Sequence, residues 1–167
     1  MRPGSAALAL AAFLAVSCAP PAVQTAPLPR WQAASLSDGA TVQVAAEEGL
    51  VVVNVWATWC EPCRREMPSL EAAHRALAPK GVRVIGLNID RDVLLAREHA
   101  RKIGLTFTNL SDPAQAIARD ALAVSRLPTT LAIGRDGRVR WREESARDWA
   151  EPSRLARIER TAAEGAP

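Results

Sequence analysis

A chain of 167 residues, 49% of them hydrophobic, is long enough for one domain with a sizeable core. Its 21 Lys and Arg against 18 Asp and Glu leave a net charge of +3. The basic residues are interspersed with Glu143, Glu144, Asp148 and Glu151 and form no patch with interleaved aromatics, which speaks against nucleic acid as a partner. The three cysteines, Cys18, Cys60 and Cys63, allow at most one intrachain pair in the core. Cys60 and Cys63 would close too short a loop to stabilise much, so reactivity is the better reason for them.

In chain order, Arg2 is followed by an apolar run from Ala6 to Val16, too short to span a bilayer comfortably but suited to a signal peptide. It ends in Ala15-Val16-Ser17-Cys18, which resembles a bacterial lipobox and makes Cys18 the lipidated first residue of the mature chain. Ala15 stands where that motif favours Leu, and ordinary cleavage after Ala19 is the alternative. Both readings predict export, with residues 1–18 as the signal and a lipid anchor to the membrane in the first. Pro20, Pro21, Pro27 and Pro29 make residues 19–30 a semi-extended tether, with a reach of roughly 35–40 Å.

Residues 31–164 read as the folded domain. Leu36-Ser37-Asp38-Gly39 predicts an N-terminal hairpin with an Asp-Gly turn. Leu50 to Trp56 is a nearly continuous β-branched run, the pattern of a strand buried on both faces. A helix is expected from about Cys60, with Met67, Leu70, His74 and Leu77 on one stripe, broken by Gly81 before a strand over Val82 to Ile89. Val93, Ala96, Ala100 and Ile103 space out a second helix, and a short strand follows near Leu105 to Leu110. Asp112-Pro113 reads as a cap and first position of a further helix. Thr129 to Ile133 and Val139 to Arg142 are strands joined by Asp136-Gly137, and a last helix after Pro152 carries Leu155, Ile158 and Ala162. The fold class is α/β, a mixed sheet with helices on both faces.

The chemistry lies in Trp59-Cys60-Glu61-Pro62-Cys63, a C-x-x-C at a strand-to-helix junction. A cysteine there faces unpaired backbone N–H groups and the positive end of the helix dipole, which stabilise a thiolate. Cys63 lies one turn further on, close enough to form a disulfide with Cys60 and to resolve a mixed disulfide. Cys60 attacks and Cys63 resolves.

These residues, with Pro68, Leu127-Pro128-Thr129-Thr130 and Arg147-Asp148-Trp149, resemble the thioredoxin superfamily and within it the TlpA/ResA-like group of membrane-tethered bacterial proteins. The resemblance implies a thioredoxin-like fold, a cis bond before Pro128, and a client-facing surface made of Trp59, Glu61, Pro62, Leu127 and Pro128. It implies no cofactor. It also implies reduction of disulfides in exported proteins, apocytochromes c among them, with a membrane thiol-disulfide transporter as electron donor. Where thioredoxins carry a buried Asp this chain has Asn54, and ResA-like members have a Glu at the position of Glu66. One helical turn places Glu66 beside Cys63, where it can exchange the proton.

Competing readings are weaker. Structural zinc needs four ligands, and the only histidines, His74 and His99, stand at no spacing that resembles a zinc module. A Sco-like copper-binding module would need C-x-x-x-C and a later histidine, and a peroxidase would not place its nucleophile in C-x-x-C. General disulfide reduction or isomerisation stays open beside apocytochrome c. His74 reads as a boundary core residue and His99 as a solvated one. Trp31, Trp141 and Trp149 read as packing, Trp56 as core or active-site surface, and Glu61 as an exposed acid opposing the Cys60 thiolate.

Overall fold

The computed structural model describes residues 26–44 and 49–164. Cys18 and the rest of the segment expected to be a signal peptide lie outside them, as does most of the expected tether. Seven strands form one sheet: β1 (Trp31–Ser35), β2 (Thr41–Val44), β3 (Leu50–Trp56), β4 (Val82–Asn88), β5 (Thr108–Ser111), β6 (Thr129–Ile133) and β7 (Val139–Glu143), in the order β2-β1-β5-β4-β3-β6-β7. β3, β4 and β5 are parallel; β6 runs antiparallel to β3, β7 to β6, and β1 to both β2 and β5. Three helices join them: α1 (Glu61–Leu77), α2 (Val93–Lys102) and α3 (Pro152–Glu164).

β3 lies near the middle of the sheet and all seven of its residues are buried, as its unbroken apolar run requires. Asn54 bonds to Glu66 of α1, and the Trp56 ring meets His99 of α2, so Val52, Asn54 and Trp56 face these two helices. Trp56 Nε1 donates to Asn109 Oδ1 across Gly86. A Cβ at Gly86 would stand 2.1 Å from that oxygen, so the residue between them has to be glycine. The other face of β3 carries Val51, Val53 and Val55; Val51 lies with Leu28 and Trp31 of the N-terminal segment, and Ala118, Leu122 and Val124 of the connection between β5 and β6 belong to the same core.

The expected mixed sheet and N-terminal hairpin are present, and three sequence expectations need correcting. The helix expected at Asp112-Pro113 is a single π turn over Ile117–Ala121. Asp112 does not cap the residues next to it; its Oδ2 accepts from Ala118 N at 2.8 Å, six residues on, and Gln115 takes φ 59° between them. Helical cover on that face is therefore only five residues long. β5 begins at Thr108 rather than near Leu105, because Thr106 gives both N–H and O–H to the buried Glu71 of α1. His99 is half-buried rather than solvated, and burial lowers its pKa from the ordinary value. No helix among the described residues is long and apolar enough to cross a membrane.

Candidate active site

β3 ends at Trp56, and the chain must turn within four residues to start α1. Asp90, just beyond β4 and almost fully buried, fixes that turn. Its Oδ2 accepts from Thr58 N at 2.8 Å and Asn88 Nδ2 at 2.7 Å, and its Oδ1 accepts from Thr58 Oγ1 at 3.0 Å. Cys60 then caps α1, its Sγ accepting from Cys63 N at 3.3 Å, and Pro62 occupies the first turn, where no donor is missed. Cys60 and Cys63 are joined as a disulfide with Cα atoms 5.3 Å apart. Cys60 is 6% exposed and Cys63 is 0% exposed, so an incoming group can reach only the first sulfur.

A groove of about 430 Å³ runs past Cys60, with Trp59, Pro62, Ile89, Ala118, Val124 and Leu127 among its lining. Trp59 is 66% exposed beside the disulfide, whereas Trp56 is fully buried core. The Leu127-Pro128 bond is cis. Leu127 reaches the groove, and Pro128 is buried outside its lining. Glu61 lines the groove with its charge already met by Arg65 Nη1 at 2.6 Å.

Glu66 is 3% exposed and accepts three N–H groups. Asn54 Nδ2 donates to its Oε1 at 2.8 Å, and Arg147 N and Trp149 Nε1 each donate to its Oε2 at 3.0 Å. Burial nevertheless raises its pKa above the ordinary value, outweighing the opposing hydrogen bonds from Arg147, Asn54 and Trp149 and the charge of Arg147. Asn54 also donates to Thr130 Oγ1 at 2.9 Å, its register partner on β6, while its own Oδ1 is buried with no partner. On its outer side Glu66 meets an open cleft lined by Pro68, Ser69 and Arg147.

Two members of this arrangement were missed in the sequence. Trp149 is not merely packing, and Asp90 carried no motif signal at all. Trp149 lies 83 residues from Glu66, and its role appears only when Ser69 Oγ accepts Trp149 N at 3.0 Å and draws that loop onto α1. Replacing Trp149 by Phe is expected to destabilise the fold by about 1–3 kcal/mol, because a buried carboxylate oxygen loses a donor. It should also raise the Glu66 pKa further, to be read by carboxyl NMR titration. Among the described residues no group of three or more His, Cys, Asp or Glu could hold a metal ion.

Known proteins resemble this chain to different extents. The AhpC/TSA family matches residues 24–142. The thiol-disulfide oxidoreductase ResA of Geobacillus thermodenitrificans is 34% identical over 90 residues, covering 54% of this chain and 51% of the relative. The chain thus spans about half the length of the curated relatives it matches. In structure, a thiol:disulfide interchange protein DsbE of Chlorobium tepidum superposes with a TM-score of 0.69 at 22% identity, over 83% of this chain and 94% of that one. A secreted Mycobacterium tuberculosis disulfide oxidoreductase homologous to Escherichia coli DsbE does so with a TM-score of 0.66 at 25% identity, over 76% and 95%. The fold is thioredoxin-like.

Proposed function

The chain belongs to the AhpC/TSA family, and we propose that it is an exported thiol-disulfide oxidoreductase that reduces disulfides in exported proteins, apocytochromes c among them. The observation that carries this reading is a disulfide whose first sulfur alone reaches a groove, at the N-terminus of a helix. Residues 31–164 form the catalytic domain, residues 1–18 the signal peptide, and residues 19–30 the tether from a lipidated Cys18. A membrane thiol-disulfide transporter returns the electrons.

In the reduced protein the Cys60 thiolate attacks one client sulfur. A Cys60–client disulfide forms, the client S–S bond breaks, and its second sulfur leaves as a thiolate. Cys63 gives its proton to the Glu66 carboxylate and attacks the Cys60 sulfur, which closes the protein disulfide and expels the first client sulfur. Two electrons pass from protein to client. Glu66 suits this exchange because burial holds its pKa above that of an exposed carboxylate. Once protonated, it needs an acceptor for its new hydrogen. A half-turn of the Asn54 amide presents the unpartnered Oδ1 in place of Nδ2. The outer cleft then lets the proton leave on the side of α1 away from the client.

The test is the pre-reduced protein with two oxidised peptides, one carrying Cys-x-x-Cys-His and one with that His replaced. Reduction of both is expected, at least several-fold faster for the first. Equal rates would replace apocytochrome c by general disulfide reduction, and no reduction of either would overturn the reading.

A further inference from the structure

We propose that the groove beside Cys60 favours client disulfides flanked by acidic side chains, an inference that rests on the oxidoreductase reading above. The groove has an apolar floor, but its outer wall is polar and basic, with Gln115, Arg119, Ser125 and Arg126 in the lining. The wall is rigidly built. In its π turn Leu122 N donates to Ile117 O at 2.9 Å, five residues back, and the extra residue sets Ala118 into the core while Arg119 stays exposed at the rim. Such turns are rare in helices and concentrate at functional sites. Val124 N donates to Ala118 O at 2.7 Å. From β7, Arg142 reaches under the wall and donates to the carbonyls of Leu122 at 2.6 Å and Ala123 at 3.3 Å.

The charges at this rim are left largely unspent. Arg119 forms no ion pair among the described residues, with Asp120 beside it in sequence. Among the described residues Arg126 has a single acidic partner, Glu144 at 3.5 Å, which also lies 3.8 Å from Arg142. The acid in the groove lining, Glu61, is engaged by Arg65. A client segment lying along the groove therefore meets two exposed guanidinium groups and one carboxylate already paired. Guanidinium groups match carboxylates in shape and charge, and attraction of this kind acts mainly on encounter and selection.

The test uses the pre-reduced full chain and three peptides with the same Cys-Gly-Ser-Cys disulfide ring, flanked by Asp, Ser or Lys. Each rate is divided by that peptide's rate with dithiothreitol, which removes the effect of the flanks on the sulfur itself. At low salt the Asp peptide is expected to exceed the Lys peptide by about tenfold, falling toward equality at ~0.5 M salt. The Arg119→Glu/Arg126→Glu variant should invert that order, with circular dichroism confirming the fold. The milder Arg119→Gln change should shrink the ratio if the double variant does not fold. Equal normalised rates in the wild type, or a ratio untouched by these substitutions, would overturn the inference while leaving the oxidoreductase reading intact. Reduction of none of the peptides would overturn both.

Discussion

Replacing Cys63 with serine is expected to convert a transient intermediate into an accumulating one. Cys60 keeps its place at the start of α1 and its access to the groove, so it still attacks. The thiol that would expel the client is gone, and Cys63 is the neighbour placed to do so, with Cα atoms 5.3 Å apart. Cys60-linked adducts should then build up on non-reducing gels, and turnover should fall by several orders of magnitude. Cys60→Ser should abolish adducts and turnover together, because the remaining thiol is fully buried. If the two variants capture clients equally, the division of roles between the cysteines is wrong.

Glu66→Gln is expected to slow reduction near neutral pH by about 100-fold, the size of a lost proton-transfer group. The substitution should be accommodated. Oε1 can accept from Arg147 N and Trp149 Nε1, while the new NH2 group donates to Asn54 Oδ1 once the Asn54 amide, which now turns its Nδ2 toward residue 66, makes a half-turn. Stability gives an independent reading with a definite sign. A carboxyl whose folded pKa is raised contributes stability that is fully present below its unfolded value of 4.5 and is lost as pH rises through the folded pKa. Wild type should therefore lose stability relative to Glu66→Gln as pH climbs from 4.5, with a constant difference above the folded pKa. Denaturant unfolding across pH 4–9 measures this. A difference that does not change with pH would mean that Glu66 has an ordinary pKa, and an unchanged rate would assign the proton to another group.

What was legible in the sequence was local. The β-branched run of β3 and the C-x-x-C that follows it announce themselves over a few residues; the bond before Pro128 is cis, but Pro128 itself is buried outside the groove rather than on the expected client-facing surface. Asn54 and Glu66 stood out only by resemblance, each by itself, and the hydrogen bond that joins them twelve residues apart was not expected. Missing from the sequence reading were the contacts that distant residues make with Glu66. Arg147 and Trp149 approach Glu66 from a loop more than 80 residues away, and no periodicity encodes such a meeting. Asp90 carried no motif signal, yet two of its bonds hold the residue before Trp59. Asp112-Pro113 misled for a physical reason. A cap signal predicts a helix only when the side chain serves the adjacent turn, and here it serves Ala118.

The central claim is that Cys60 and Cys63 form a reversible redox pair that sits on the reducing side. Cys60 gains the Cys63 N–H and the helix terminus, but it is largely buried and no Lys or His stands within the motif, so its thiolate is stabilised only moderately. Pairs with a strongly stabilised reduced form are the oxidants. Equilibrating the full chain with glutathione redox buffers, and counting free thiols by alkylation, reads the potential directly. A single two-electron transition with a midpoint below about −200 mV is the expected result. A midpoint near ~−120 mV, in the range of the strongly oxidising enzymes, would contradict the assignment as a reductant.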